Sequence, residues 1–160
     1  MFGSGQESQI EFKTKAHEEG YNKVKKHVQS VFGEMAKVVP NRPVFLLRAG
    51  STLTHVAVTP WGDDDSVVLV RAYVVYGAEL APDLLKFLLQ ENHRMRFGAF
   101  GIDNDGDIFF EHSIVGSTCD KGELKASVLA VGQTADNYDE RIRERWGGVR
   151  EMDRIKEMMG

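Results

Sequence analysis

Cys119 and the five histidines, His17, His27, His55, His93 and His112, are the residues best able to carry nucleophilic or metal chemistry in this 160-residue chain. Nucleophilic catalysis needs a nucleophile, a base and a group that orients the base. Cys119 precedes a predicted helix start, where a thiol pKa can be lowered, and His93 or His112 could act as its base. Yet Gly116-Ser117-Thr118-Cys119-Asp120 matches no nucleophile signature, and the adjacent Asp120 opposes a thiolate. No histidine pair has HxH or HxxxH spacing, and one cysteine builds no zinc knuckle. His112 interrupts an apolar strand face and reads as a hydrogen-bonded structural residue. No catalytic residue, metal ligand or cofactor-binding residue is therefore expected.

The acidic clusters invite a cation. An EF-hand loop needs glycine at its sixth position and a bidentate Glu at its twelfth. From Asp103, Gly106 is fourth and position twelve is Ile114, so Asp103-Asn104-Asp105-Gly106-Asp107 reads as a hairpin turn. Asp63-Asp64-Asp65 reads as a solvated loop. Phe97-Gly98-Ala99-Phe100-Gly101 contains neither phosphate-cradling glycine motif. Its aromatic pair superficially matches a base-stacking RNA strand, but it lacks the leading basic-Gly-aromatic pattern.

The elements that must position these residues follow from periodicity. Tyr21, Val24, Val28, Val31, Met35 and Val38 recur at spacings of 3, 4, 3, 4 and 3, predicting a helix from about Lys15 to Val38 that stops at Pro40 and Pro43. Val44–Arg48, Thr52–Thr59 and Ser66–Tyr76 are strand-like and separated by turn signals, an antiparallel meander. Pro82 and Asp83 open a second helix with a buried stripe of Leu84, Leu85, Leu88 and Leu89, and Phe87 beside it. A hairpin follows, from Arg96 to Ile102 and from Asp107 to Val115, with Gly98 and Gly101 permitting a bulge or close backbone approach. Asp120 and Glu123 form a capping-box-like start to a last helix, striped by Leu124, Val128, Val131, Ala135, Tyr138, Ile142 and Trp146 and broken at Gly147-Gly148. The order predicts one α+β domain over 1–160, α-β-β-β-α-β-β-α, with a mostly antiparallel five-stranded sheet and helices packed on it. Residues 1–12 are expected to fray, and 149–160 to form a charged tail with a helical turn or two.

Composition excludes broad classes. Lys and Arg number 20 and Asp and Glu 24, giving a net charge of −4, so a strongly basic nucleic-acid binder is not expected. The charge is uneven: residues 1–50 carry 8 basic and 5 acidic side chains, 51–120 carry 4 and 11, and 121–160 carry 8 and 8. The acidic middle segment would repel nucleic acid and attract a basic partner. A single thiol excludes an internal disulfide. No apolar run approaches the ~20 residues that span a bilayer, and the start, MFGSGQESQIEF, does not read as a signal peptide. A cytoplasmic protein without membrane or nucleic-acid partners is expected.

The segment Leu84–Leu129 resembles the YbjN family, whose members share a type III secretion chaperone-like fold. The resemblance is carried by the Leu84-Leu85 and Leu88-Leu89 helix ending in Asn92 and by Phe97-Gly98-Ala99-Phe100. The Asp103, Asp105 and Gly106 turn and the capped helix at Asp120–Glu123 complete it. It covers roughly residues 82–140, and before that only the element order agrees. It implies a small module that pairs as a homodimer. Secretion chaperones of this fold hold unfolded client segments along hydrophobic surface grooves. The expectation is a non-enzymatic, chaperone-like protein-binding or regulatory module, with a small-molecule sensor as the alternative. Two sheet edges must be paired or protected, and Leu85, Phe87, Leu88, Phe97 and Phe100 are the expected dimer or partner surface.

Overall fold

The computed structural model describes residues 9–160. The first helix, α1, spans Lys15–Phe32, capped by Thr14, whose side chain accepts from the His17 N–H. It ends earlier than its apolar spacing predicts. Gly33 adopts φ 55, a conformation that costs other residues steric strain. A 3-10 turn over Gly33–Met35 then leads into a short strand, β1, Ala36–Val38. Met35 and Val38, predicted to be buried in the helix, are instead 66% and 47% exposed.

The remaining strands are β2 (Val44–Ala49), β3 (Thr52–Trp61), β4 (Asp65–Val75), β5 (Ala99–Ile102) and β6 (Ile108–Val115). Helices α2 (Pro82–Arg94), α3 (Lys121–Trp146) and α4 (Glu151–Met159) complete the order. The architecture is α+β, as predicted, but the antiparallel sheet has six strands rather than five, ordered β1-β2-β3-β4-β6-β5. The additional one is β1, whose three residues are too few to display an alternating pattern.

Register decides what is buried. Phe45 pairs with Val56, Val56 with Val70, and Val70 with His112 in one row across the sheet. That face lies under α1 and α3 and supplies Val56, Val58, Val68 and Val70 to the core. The neighbouring row, Leu46, His55, Arg71 and Glu111, faces the opposite side. There Arg71 lies 4.0 Å over the Phe109 ring and donates to Glu111 at 2.8 Å.

In α2, Leu84, Leu88 and Glu91 are buried, a face of i, i+4, i+7 spacing. Leu85 and Leu89, predicted in the same buried stripe, turn outward and are 38% and 71% exposed. Helix α3 buries the predicted stripe, with Tyr138 half-buried. It also buries Asp139, which with Asp136 accepts hydrogen bonds from the Ser51 hydroxyl and pins the β2–β3 turn. Burial holds the Asp139 carboxyl above the usual carboxylate range.

The expected frayed start falls partly outside the described residues. At 10 and 12, Ile10 and Phe12 pack against the core, with the Phe12 ring 5.4 Å from Tyr21. Over 149–160, Val149 exchanges two backbone hydrogen bonds with Tyr76, and α4 follows, with Arg154 4.1 Å over the Tyr76 ring.

Gly98 ties β5 to β6. It adopts φ 86, and a Cβ there would lie 2.4 Å from the Glu111 carbonyl oxygen. Gly98→Ala should cost about 2–4 kcal/mol, read as a lower urea midpoint at unchanged slope. Gly122→Ala, in the first turn of α3 with only its own cap at 3.5 Å, should be neutral or gain up to about 1 kcal/mol.

Candidate functional site

The residues of chemical promise are occupied by structure. Cys119 is fully buried, and its thiol is pushed up to about 11 by burial and by Glu123, against the opposing pull of Lys23. It stays a thiol at neutral pH and is a poor nucleophile. His112 is half-buried on β6, with its ring edge-to-face with Phe97 at 5.9 Å.

The Asp103, Asp105 and Asp107 side chains each offer an oxygen within 4.8 Å of the others. The Asp103 carboxylate, however, is already committed. It accepts from the N–H groups of Asp105 and Asp107, each at 2.9 Å, and from the Tyr73 hydroxyl at 2.9 Å. Those bonds, the Asp107 N–H first, hold its carboxyl below the usual range. The cluster is a turn held by its first side chain. Asp65 likewise accepts from Ser66 and Ser117 and joins the β3–β4 turn to the end of β6.

The five residues expected at a partner surface separate. Leu88 and Phe100 are 4% and 7% exposed and lie in the core, Phe100 at 5.0 Å from both the Phe110 and Tyr138 rings. Phe87 is half-buried, its ring 5.4 Å from Trp146. Leu85 and Phe97 reach solvent, Phe97 with 49% exposed. Leu89 and Ile102 join Leu85 on the outside, and Leu85, Leu88, Leu89, Asn92, Phe100 and Ile102 line a groove of about 300 Å³.

The two sheet edges are treated differently. Along β5, the Asn92 carboxamide occupies the outer face of Phe100. Its Oδ1 accepts from the Phe100 N–H at 2.6 Å, and its Nδ2 donates to the Phe100 carbonyl at 3.2 Å. A side-chain amide thus fills the place of a further strand. Strand β1 has β2 on one side and, among the described residues, no strand on the other.

Two grooves adjoin β1. One, of about 220 Å³, is lined by Phe32 and Met35, Leu47 of β2, Thr54 of β3, and Val128, Leu129 and Gly132 of α3, with Arg48 and Gln133 also on its wall. Its rim residues Met35 and Leu129 are 66% and 43% exposed. The other, of about 670 Å³, is lined by Ile10, Phe12, Tyr21, Val38, Val39 and Asn41, with Glu18 and Lys25. Sequence reading did not single out Met35 or Leu129 as surface residues. The available signals were Gly33 inside the apolar stripe of α1 and Leu129 lying off the stripe of α3.

A family model described as "T3SS (YopN, CesT) and YbjN peptide-binding chaperone 1" matches residues 19–154. No curated protein matches the sequence. Among solved structures, a chain of the ExsC-ExsE complex superposes with a TM-score of 0.60 at 14% identity, covering 76% of this chain and 95% of that one. A chain of the HopA1-SchA chaperone-effector complex gives 0.56 at 11% identity, covering 74% and 91%. These likenesses establish a shared fold. No helix among the described residues is long and apolar enough to cross a membrane.

The Asn92 bonds carry a direct consequence. Asn92→Ala leaves the Phe100 N–H and carbonyl unpaired while sparing the buried leucines of α2. Amide exchange at Phe100 should accelerate by about tenfold or more, at a global cost of about 1–3 kcal/mol. Unchanged exchange at Phe100 would show that Asn92 does not close the edge.

Proposed function

The chain belongs to the T3SS (YopN, CesT) and YbjN peptide-binding chaperone 1 family, and from this premise we propose that it is a non-enzymatic module that holds an extended protein segment and works as a homodimer. One observation carries the reading: the exposed apolar groove of Phe32, Met35, Leu47, Val128 and Leu129 opens beside the outer edge of β1, with which no strand among the described residues pairs. An extended peptide needs partners for its backbone N–H and carbonyl groups, and an open strand edge supplies them. Its side chains alternate between faces, so every second one is offered to the groove.

The magnitudes fit a weak, exchangeable holder. Burying one Leu-sized side chain gains about 1.5–3 kcal/mol. Ordering each client residue costs about 1–2 kcal/mol of backbone entropy. Several apolar anchors and edge hydrogen bonds must therefore act together, and affinity per unit area is low.

On this reading the homodimer would form through α2 and β5; the exposure of Leu85, Leu89, Ile102 and Phe97 supports it. Asn92 already satisfies the backbone of Phe100 there, so contact at this edge is by side-chain packing rather than strand pairing. This leaves β1 free for a client in each protomer.

Fluorescence anisotropy with a labelled peptide of alternating Val and Thr, about eight residues long, tests the first part. Wild type should bind it, and Leu129→Glu or Met35→Glu should weaken binding by about tenfold or more, because a charge would be desolvated in the groove. Binding unaffected by both changes would remove the groove from the site. Light scattering of the purified chain tests the second. The wild type should show a dimer mass and Leu89→Glu a monomer mass. A monomeric wild type would overturn the homodimer.

A further inference from the structure

Charge along the open edge distinguishes one class of client from another. Lys37 lies in the middle of β1, Arg42 in the turn beyond it, and Arg48 near the far end of β2, and all three are exposed. Lys25 lines the groove beside Val38. Lys125 stands four residues before Leu129, on the same side of α3. None of these five cations makes an ion pair among the described residues. Other basic groups are engaged elsewhere: Arg71 with Glu111, Arg145 with Asp83, Arg150 with Glu140 and Asp153, and Lys23 with the carbonyls of Gly116 and Ser117.

The acidic side chains near this edge are fewer. Glu34 precedes Met35, and Glu18 lines the second groove. Asp136 is occupied by the N–H and hydroxyl of Ser51. The acidic turns belong to other strands: Asp63–Asp65 between β3 and β4, and Asp103, Asp105 and Asp107 between β5 and β6. With strands about 4.8 Å apart, the β5–β6 hairpin is five positions from β1 in the sheet order, about 24 Å away. That distance is several Debye lengths at physiological salt, so its carboxylates do not cancel the field at β1.

We propose that the β1 edge selects extended client segments in which acidic residues alternate with apolar ones, the apolar side chains entering the Met35–Leu129 groove and the carboxylates meeting Lys37 and the flanking arginines. The proposal rests on the peptide-holding reading and adds the chemistry of the peptide. Pairing fixes the geometry. Lys37 pairs with Leu46 on the face away from the helices, whereas Ala36 and Val38 pair with Leu47 and Phe45 on the helix side. A strand added outside β1 would repeat that division, with one set of side chains beside Lys37 and the alternate set on the helix side. A basic client would bring like charges against unpaired cations, a direct penalty on the wrong partner.

Three labelled peptides of about eight residues, alternating Val with Glu, Lys or Thr, are titrated against the full chain by anisotropy. At low salt the Val-Glu peptide should bind about tenfold or more tighter than Val-Lys, with Val-Thr between, and the difference should shrink at about 0.5 M NaCl. Lys37→Glu combined with Arg48→Glu should invert the order, while Lys86→Glu on α2 should leave it unchanged. Circular dichroism confirms that each variant is folded. Equal affinities, a preference for Val-Lys, or a Val-Glu preference that survives the double charge reversal would overturn the selectivity. In those cases peptide holding stands and the edge cations serve only to prevent aggregation. Failure of all three peptides to bind would overturn both readings.

Discussion

Everything in this fold hangs on how closely α1 can lie against the sheet, and that distance is set where two glycines face one serine. Ser66, at the start of β4, is 1% exposed. A Cβ on Gly20 of α1 would stand 2.2 Å from its hydroxyl oxygen, and one on Gly116, after β6, 1.9 Å. At Gly116 a Cβ would also meet the Ser66 carbonyl oxygen at 2.9 Å, so the backbone itself would have to shift, while at Gly20 the Ser66 side chain would have to move. Lys23, one turn along α1 from Gly20, adds hydrogen bonds to the carbonyls of Gly116 and Ser117. The first half of α1 is therefore seated on the β4–β6 end of the sheet. Its other end, at Phe32 and Met35, reaches the opposite margin of the sheet. There it and α3 leave between them the groove that exposes Met35 and Leu129.

A sheet with one covered face still has two edges, and each must be accounted for. The solutions here are opposite in kind. At β5, a carboxamide from α2 satisfies both backbone groups of Phe100, so the edge offers little to a further strand there. At β1, no side chain among the described residues takes that place, and the Ala36 N–H is met by the Gly33 carbonyl. The strand is only three residues long and carries a lysine, both devices that limit indiscriminate pairing. A short, charged, unfilled edge beside an apolar groove is poorly suited to aggregation and well suited to a partner that satisfies both features together.

Much of this was legible in the sequence, for physical reasons. The strands β3 and β4 are long, rich in β-branched residues and joined by a short turn, so their mutual pairing follows from their own pattern, whereas the β4–β6 pairing joins strands distant in sequence. Helix α3 runs over 26 residues, long enough for the periodicity of its stripe to dominate. The end of α1 was not legible, because Met35 and Val38 continue a 3–4 spacing past a glycine that ends the helix. Apolar residues that serve a groove repeat the spacing of residues that serve a core, and periodicity alone does not separate them. The same ambiguity divides α2. Leu84 and Leu88 are core, while Leu85 and Leu89, each one residue further on, face solvent. Phe100 and Phe97 divide similarly, because Gly98 at φ 86 interrupts the alternation before β5 begins. Asn92 gave no pattern at all, since its role depends on a strand eight residues away reaching its amide.

The uneven charge of the sequence becomes a spatial property once the sheet order is known. Of the basic side chains in residues 1–50, Lys37, Arg42 and Arg48 lie on β1, in the turn after it and on β2, at one margin of the sheet, whereas α1 crosses to the β4–β6 end, where Lys23 meets the Gly116 and Ser117 carbonyls. Residues 51–120, with 4 basic and 11 acidic side chains, build β3 to β6 and α2, including both acidic turns. A net charge of −4 is therefore unevenly distributed, with the acidic turns at β3–β4 and β5–β6 and exposed cations at the β1 margin. Such a field acts before contact: it orients a charged chain as it approaches and raises its encounter rate at the attracting side. For an unfolded segment, whose own ordering opposes binding, that early bias matters more than for a rigid partner. On the proposed reading it would favour the β1 edge, which has β2 as its one strand neighbour among the described residues, over the β5 edge, where Asn92 meets Phe100.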